Sequence, residues 1–270
     1  MKDYRNLALE MRRDIINMAH NAGKKGAHIG GGMSAVDILA VLYGGVMHYD
    51  VNDPRAESRD RFIMSKAHSA IAMYAALHQV GFLNDSEISN AMQGDALLYK
   101  HPRMNIEKGI EFSGGSLGQG LPLGAGMAFA MKRKKIESKV YVLVGDGECD
   151  EGSIWEAASS IVNFGLDNVI TIIDCNNLQN DGRPADVMNI GDMRLRWESM
   201  GYDVIEIDGH DYEQIEEALT RKTIRPKAII ANTIKGKGVP FAEDRVEWHI
   251  GYIDDELYKQ ALEAIDAANK

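Results

Sequence analysis

Two short polar turns in the sequence carry groups suited to binding a metal ion and a diphosphate. The segment 145–152 reads GDGECDEG, and the segment 174–178 reads DCNNL. The carboxylate of Asp146 and the amide oxygen of Asn176 are hard donors, which suit Mg²⁺ or Ca²⁺ and leave coordination positions for water or phosphate oxygens. Gly147 has no Cβ, so its backbone can approach a diphosphate closely. Together the turns predict a metal–diphosphate site, although either one alone would more often be a simple turn.

Each turn directly follows a short run of apolar residues. These runs are VYVLV at 140–144 and VITII at 169–173. Apolar runs without alternation, separated by helices, are typical of parallel strands that are buried on both faces. Open parallel sheets bind ligands at the carboxyl ends of their strands. Because Asp146 and Asn176 are thirty residues apart, the length of one β-α-β unit, we expect them side by side at one edge of the sheet.

The rest of the chain alternates helices with strands. Apolar runs predict further strands at 203–207 and 228–232, and a short strand within 61–68. Helical spacing predicts helices over 3–20, 67–80, 118–133, 192–200, 211–222 and 255–268. This alternation predicts an α/β fold in which helices cover both faces of a parallel sheet. Since no linker-like stretch interrupts the sequence, we expect one domain over residues 1–270.

Two more helices are predicted to begin at capping boxes. Ser34 and Asp37 open the first, which should stop at the glycine pair 44–45. Ser153 and Glu156 open the second, which is the crossover helix of the β-α-β unit. The residues predicted to form its buried face and its left-handed end are Trp155, Ala158, Val162 and Gly165.

Composition and charge exclude several classes of protein. The 270 residues are 45% hydrophobic and include 27 Gly and 6 Pro, so the chain can bury a sizeable core and is not of low complexity. It has 30 Lys and Arg against 40 Asp and Glu. The resulting net charge of −10 lacks the positive field that attracts phosphate backbones, which predicts that nucleic acid is not a partner.

Membrane insertion and secretion are not predicted either. The longest weakly polar stretch, 35–47, contains Asp37 and is shorter than the roughly 18 apolar residues that a membrane span needs. The first fourteen residues are too charged for a secretory signal. The two cysteines, Cys149 and Cys175, have neither disulfide nor zinc-site spacing. This pattern suits a reducing compartment, so we expect a cytoplasmic protein without a membrane partner.

Four of the eight histidines lie in glycine-rich or proline-flanked turns. They are His28 in GAHIG, His68 at the end of RFIMSKAH, His101 before a proline, and His249 after a tryptophan. Imidazole titrates near neutral pH and function concentrates in loops, so these four are candidate catalytic residues. Two glycine-rich segments accompany them, SGGSLGQG at 113–120, which opens a helix at its anion-binding N-terminus, and KGKG at 235–238.

The pair of polar turns resembles the signature of thiamine diphosphate enzymes, a GDG followed about thirty residues later by an Asn-rich turn. The resemblance implies that Asp146 and Asn176 hold Mg²⁺ by their side chains and Leu178 by its carbonyl oxygen, with Ca²⁺ or Mn²⁺ as possible substitutes. It also implies that Gly147 and Asn176 contact the diphosphate. A dinucleotide site is less favoured, because the glycines do not form G-x-G-x-x-G between a strand and a helix.

In order and spacing, the segments resemble the N-terminal, diphosphate-binding domain of transketolase from about residue 10 to 260. DRFIMSKAHSA, GGSLGQGLPLGAGMA and GDGECDEGSIWEA carry the similarity. The resemblance implies that His28 and His249 contact the ketose donor, that His68 and His249 contact the cofactor, and that His101 contacts the substrate. The other residues it implies at the cofactor or the subunit interface are Gly115, Ser116 and Leu117 at the aminopyrimidine, and Glu151 in an interfacial carboxylate network.

Three positions depart from the family pattern. Gly-Ser-Leu replaces Gly-Pro-Leu at 115–117, Gly-Ala-His-Ile replaces Ser-Gly-His-Pro around His28, and Ile250 replaces the glycine after Trp-His. The resemblance implies that the cofactor is contacted largely by the backbone of residues 115–117, so serine should be tolerated at position 116. The other two departures bear on which donor sugar is accepted.

The family's chemistry also needs a glutamate from a pyrimidine-binding domain, which we do not find before Lys270. The resemblance therefore implies the N-terminal, diphosphate-binding subunit of a split transketolase, which transfers a two-carbon ketol unit from a ketose to an aldose. Its partner would be a C-terminal, pyrimidine-binding subunit in an α₂β₂ assembly. The sugar stays open among pentose phosphate, apiose-derived and sulfonated substrates. Two alternatives are the α subunit of another thiamine enzyme, such as a 2-oxoacid dehydrogenase or a deoxyxylulose phosphate synthase relative, and a non-catalytic scaffolding subunit.

Overall fold

A computed structural model describes residues 3–94 and 96–268. At its centre lies a parallel sheet in the order β1-β2-β3-β5-β4. Its strands are β1 (Arg61–Met64), β2 (Val140–Gly145), β3 (Val169–Cys175), β4 (Asp203–Asp208) and β5 (Lys227–Asn232). The predicted parallel sheet is therefore confirmed. The prediction of one domain over 1–270 stays a prediction, and it includes residues 1, 2, 95, 269 and 270, which lie outside the described part.

Alternate residues of the strands enter two separate apolar clusters, one on each face of the sheet. On β2, Tyr141 and Leu143 belong to one cluster, whereas Val140, Val142 and Val144 belong to the other. Strands buried on both faces need helices on both sides, and this requirement explains why the apolar runs of the sequence do not alternate. The predicted α/β architecture is confirmed.

The helices lie close to their predicted positions. They are α1 (Tyr4–Asn21), α2 (Ile29–Ser34), α3 (Val36–Val41), α4 (Ala70–Gln79), α5 (Asp85–Ser89), α6 (Gly120–Lys134), α7 (Gly152–Asn163), α8 (Pro184–Val187), α9 (Met193–Ser199), α10 (Tyr212–Thr220) and α11 (Asp255–Ala268). Helices α1 to α5, α10 and α11 contribute to one apolar cluster, and α6, α7 and α9 contribute to the other. The short helices α2, α5 and α8 were not predicted, because each is too short to show a clear apolar period.

Both predicted capping boxes are wrong, because the two serines bond to distant parts of the chain. The Ser34 hydroxyl donates to Asp174 Oδ2 at 2.6 Å, and α3 begins after Ala35. The Ser153 hydroxyl donates to the Gly118 carbonyl at 2.9 Å, and α7 begins after Glu151. Tertiary hydrogen bonds thus replace the local caps that the pattern indicated.

Two details of the same helices also differ from prediction. The helix that was predicted to stop at the glycine pair 44–45 instead passes into a π-helical turn over Leu42–Val46. On α7 the buried residues are Ile154, Ala157, Ala158 and Ile161, whereas Trp155 and Val162 are half-buried. The predicted face was therefore shifted by about one position. Gly165 does adopt the predicted left-handed conformation, with φ of +58°.

Two glycines of α6 provide a test of how this helix packs on the sheet. A Cβ on Gly124 would lie 2.6 Å from Val142 Cγ2, whereas a Cβ on Gly126 would meet nothing within 4 Å. We expect Gly124→Ala to destabilise the fold by about 1–3 kcal/mol through overpacking. Gly126→Ala should stabilise it by up to about 1 kcal/mol, since alanine is the better helix former. Urea unfolding of both variants measures the difference, and equal stabilities would contradict this packing.

Candidate functional site

A cleft of about 360 Å³ opens where β1, β2, β3 and β5 end. The pairing of β2 with β3 sets Gly145 beside Asp174, so the two polar turns leave the sheet as neighbours. Of the residues singled out from the sequence, those that line the cleft are His28, His68, His101, Gly115, Leu117, Asp146, Gly147, Asn176, Leu178 and His249. Ser116 and Glu151 do not line it, and both are exposed.

The two polar turns are joined by direct hydrogen bonds. Asp146 Oδ2 accepts from the Asn177 amide at 2.7 Å, and Asp146 Oδ1 accepts from the Gly147 amide at 2.8 Å. Asn176 Oδ1 accepts from the Leu178 amide at 3.1 Å. A carboxylate, an amide oxygen and the Leu178 carbonyl thus border one cleft, and each oxygen type can bind a second partner.

The electrostatics at Asp146 favour a bound cation. Burial, together with the nearby charge of Asp174, raises the pKa of Asp146 to about 6 despite two backbone hydrogen bonds that favour the charged form. A cation bound at this carboxylate would offset that penalty. In residues 3–94 and 96–268, no cluster of three or more His, Cys, Asp or Glu side chains forms a metal site. The set at Asp146 is instead one carboxylate with amide and carbonyl oxygens.

A buried ion pair lies beneath the cleft and was not predicted from the sequence. Lys66 and Asp174 form this pair, and their side chains are 1% and 0% exposed. The hydroxyls of Ser34 and Thr233 also donate to Asp174. Asp174 follows the apolar run of β3, and Lys66 stands in the SKAH segment, but neither pattern indicates that the two side chains meet.

A second lysine, Lys235 of the KGKG segment, borders the cleft from the side of β5. Its ammonium donates to the carbonyls of Leu178 at 2.9 Å and Gln179 at 3.1 Å, and lies 3.2 Å from His249 Nδ1. Burial and the charge of Lys66 lower the pKa of Lys235 to about 8, against the opposing effect of nearby carboxylates. Two cationic side chains therefore border the cleft of an acidic protein. Lys66 is paired with Asp174, whereas Lys235 bonds to neutral groups, so its charge is suited to an anionic ligand.

The four predicted histidines form one cluster. The ring centroid of His28 lies 5.5 Å from each of those of His68, His101 and His249, and the rings of His68 and His249 are 5.1 Å apart. An antiparallel bridge between Ala27 and Gly251 holds the segments that carry His28 and His249. The sequence separates these residues by more than two hundred positions, and the bridge brings them into contact.

Burial keeps these imidazoles neutral near pH 7. Burial, together with the charges of neighbouring histidines and lysines, lowers the pKa of His28 to about 3. Burial and the charges of Lys235 and Lys66 lower the pKa of His249 to about 4. The pKa values of His68 and His101 are also lowered, mainly by burial. His28 Nδ1 is buried and has no hydrogen-bond partner among the described residues. The cluster thus presents neutral rings that can accept or share a proton with a bound hydroxyl.

The loop at 113–118 contributes Gly115 and Leu117 to the lining of the cleft. Glu148, which is 2% exposed, fixes it by accepting from the Gly118 amide at 2.8 Å and from the Gly145 amide at 3.0 Å. Glu148 was not singled out from the sequence, although it lies within the GDGECDEG turn. The exposed residue Glu151 packs against Gly118, because a Cβ on that glycine would lie 2.9 Å from Glu151 Cβ.

The lowered histidine pKa values predict that acid destabilises the chain without ligand. The folded pKa of His28, about 3, lies below the ordinary value of 6.5, so the unfolded state binds more protons between them. This contribution to stability is complete above pH 6.5 and falls with acidification, by at most about 1.4 kcal/mol per pH unit. Protonation of Asp146 acts in the opposite direction, so His28→Gln is compared with wild type by urea unfolding at pH 7, 6 and 5. We expect a smaller loss in the variant, and parallel losses would contradict the assignment.

The fold and the cleft define an α/β domain with a polar cleft at the carboxyl edge of a parallel sheet, where such sheets bind ligands. The family model described as "Transketolase, thiamine diphosphate binding domain" matches residues 5–265. The chain therefore belongs to the transketolase family as its thiamine diphosphate binding domain, and the identification made from the sequence is confirmed. No helix in residues 3–94 and 96–268 has the length and apolarity needed to cross a membrane.

Several relatives resemble the chain over most of its length. It is 38% identical over 257 residues to one subunit of the apulose-4-phosphate transketolase of Phocaeicola vulgatus, covering 94% of this chain and 90% of that protein. It is 35% identical to one subunit of the 6-deoxy-6-sulfo-D-fructose transketolase of a Clostridium species (strain MSTE9), covering 90% of each. A crystal structure of transketolase from Campylobacter jejuni matches 98% of this chain with a TM-score of 0.87 and 30% identity. The chain spans 42% of that longer protein.

Proposed function

We propose that this chain is the diphosphate-binding subunit of a two-chain transketolase, which transfers a two-carbon ketol unit from a ketose donor to an aldose acceptor with thiamine diphosphate and Mg²⁺. The observation that carries the proposal is the convergence of the Asp146 and Asn176 turns with four histidines on one cleft. The first group supplies donors for a metal–diphosphate, and the second supplies neutral rings for hydroxyl groups. This combination fits a cofactor with a diphosphate and a substrate with several hydroxyls.

The residues fit a Mg²⁺–diphosphate by their chemistry. Asp146 and Asn176 would hold the metal by side-chain oxygens and Leu178 by its carbonyl, which keeps one lone pair beside the bond from Lys235. Gly147 would face the diphosphate, and it already lies against Gln179, since a Cβ there would be 2.6 Å from Gln179 Cγ. Ca²⁺ or Mn²⁺ could take the same oxygen donors.

When bound, the cofactor would supply the nucleophilic carbon that accepts the ketol unit. In this proposal His28, His68, His101 and His249 bind the sugar hydroxyls and hold or move their protons. Lys235 donates to His249 Nδ1, which leaves the proton of that ring on Nε2, and burial keeps His28 neutral. Gly115, Ser116 and Leu117 would approach the aminopyrimidine by their backbone. His68 and His249 would contact both the cofactor and the substrate side of the cleft.

The proposal includes a partner subunit that carries the pyrimidine-binding and C-terminal domains. Support comes from relatives of about the same length that are named as transketolase subunits. Glu151 is exposed beside the cofactor loop, where a carboxylate could reach another chain. We propose an α₂β₂ assembly in the cytoplasm with a sugar phosphate or sulfonated sugar as substrate. The names of the two relatives make apulose 4-phosphate and 6-deoxy-6-sulfo-D-fructose the first donors to test.

Reconstitution tests the partner requirement. The purified chain with thiamine diphosphate, Mg²⁺, a ketose donor and an aldose acceptor should show no turnover above the cofactor alone. Adding a partner chain that carries the pyrimidine-binding and C-terminal domains should start ketol transfer, measured as aldose released from the donor. A matched reaction with a 2-oxoacid in place of the ketose should release no CO₂. Substantial turnover by the single chain would contradict the partner proposal, and decarboxylation without ketol transfer would contradict the reaction.

A further inference from the structure

A buried carboxylate outside the cleft, Asp37, joins separate parts of the chain. It lies on α3, is 3% exposed, and accepts hydrogen bonds from both terminal nitrogens of Arg12 at 3.0 and 2.7 Å. It also accepts from His210 Nδ1 at 2.8 Å and from the Tyr212 hydroxyl at 2.9 Å. Burial disfavours the charged form, but the Arg12 guanidinium and His210 outweigh burial and hold the pKa of Asp37 well below its usual range.

The hydrogen bonds of His210 define its tautomer. The backbone amide of Ile234 donates to His210 Nε2 at 2.9 Å, so this nitrogen carries no proton. The proton of the neutral ring is therefore on Nδ1, where it is donated to Asp37. The carboxylate orients the ring, and the ring in turn holds one backbone amide of the loop that follows β5.

That loop, residues 234–238, is fixed by hydrogen bonds on both sides of Lys235. The Gly236 amide donates to the Gly30 carbonyl at 2.9 Å, and Arg12 Nε donates to the Lys237 carbonyl at 3.3 Å. Between these contacts and Ile234 stands Lys235, whose ammonium reaches the cleft. Asp37 therefore acts on the loop from both sides, through His210 and through Arg12.

We propose that His210 is a positioning residue for Lys235. By fixing the Ile234 amide, with its ring oriented by Asp37, it sets the backbone from which the Lys235 ammonium reaches the Leu178 and Gln179 carbonyls and His249. None of Arg12, Asp37 and His210 lines the cleft. The effect of His210 on cofactor binding rests on the proposed function, whereas its effect on the 234–238 loop does not.

Two substitutions separate the two hydrogen bonds of the ring. His210→Gln places an amide oxygen near the position of Nε2 and keeps an acceptor for Ile234. His210→Asn places an amide nitrogen near the position of Nδ1, keeps the donor to Asp37 and loses the acceptor. The His210 side chain is 14% exposed and lies in the turn between β4 and α10, outside the two apolar clusters, so both variants should fold.

Hydrogen–deuterium exchange of the full chain without cofactor reads the loop directly. In His210→Asn, the peptide covering 233–239 should exchange about fivefold faster than in wild type, the effect of losing one net hydrogen bond. In His210→Gln it should stay within about twofold of wild type, and the α11 peptide should be unchanged in both. Equal exchange in the two variants, or faster exchange throughout the sheet, would overturn the inference.

Calorimetric titration of the reconstituted two-chain enzyme with thiamine diphosphate and Mg²⁺ gives the functional readout. We expect an affinity about fivefold weaker in His210→Asn and close to wild type in His210→Gln. Equal affinities in both variants and wild type would refute the role of His210 at the site. A reconstituted wild-type enzyme that binds no thiamine diphosphate would contradict the proposed function, and the exchange data would then decide the inference alone.

Discussion

Replacing Asp146 by alanine should abolish Mg²⁺-dependent binding of thiamine diphosphate. Asp146 is the carboxylate of the proposed donor set, and it also accepts the Asn177 and Gly147 amides that shape the two turns. Loss of residues that merely support a metal ligand costs about 10–100-fold in metal affinity, so loss of the ligand itself should exceed about 100-fold. Calorimetric titration of the cofactor with and without Mg²⁺ measures the effect.

A second acidic residue of the same turn provides the matched control. Asp150 accepts from Gln179 Nε2 at 2.8 Å and does not line the cleft. Asp150→Ala should therefore change the affinity for thiamine diphosphate and Mg²⁺ by less than about threefold. It removes one hydrogen bond from the neutral Gln179 amide, away from the proposed metal position. If Asp146→Ala binds the cofactor and Mg²⁺ like wild type, the proposed metal site is wrong.

Replacing His249 by alanine should lower the turnover of the reconstituted enzyme far more than it lowers metal binding. Its ring lies between Lys235 and His68, within the histidine cluster, and burial keeps it neutral. Positioned proton transfer contributes about 10²–10⁴-fold to a rate. We expect kcat to fall within this range while the affinity for Mg²⁺ changes little, because His249 is not a proposed metal ligand.

His48 supplies the control for this prediction. It is exposed and does not line the cleft. His48→Ala should leave kcat and the cofactor affinity within about twofold of wild type, as is usual for surface positions. A His249→Ala enzyme with wild-type kcat would remove this residue from the catalytic set. A parallel loss of Mg²⁺ affinity would place its role in site assembly and not in proton transfer.

Local patterns predicted the strands and the turns at their ends. The apolar runs at 140–144 and 169–173 are buried on both faces in the structure, as their lack of alternation indicated. The thirty-residue separation of Asp146 and Asn176 leads to neighbouring turns, because a right-handed crossover returns the second parallel strand beside the first. The spacing of the two turns was therefore enough to predict that their polar side chains meet at the carboxyl ends of neighbouring strands.

The local patterns failed where a side chain had a distant partner. Ser34 and Ser153 fit the pattern of helix caps, but each bonds across the fold, to Asp174 and to Gly118. Propensity describes competition among local hydrogen bonds, and it carries no information about a partner that is distant along the chain. The pairing of Lys66 with Asp174 and the contact of His210 with Ile234 were missed for this reason.

The sequence by itself determined the α/β class, the parallel sheet, the family and the residue types at the cleft. These features depend on periodicity, spacing and short motifs, which are properties of neighbouring residues. Only the tertiary structure decided that four histidines meet at about 5 Å, that burial keeps them neutral, and that Asp37 and Lys235 are connected through His210 and Ile234. Proximity and desolvation arise when distant segments pack together, and no local pattern encodes them.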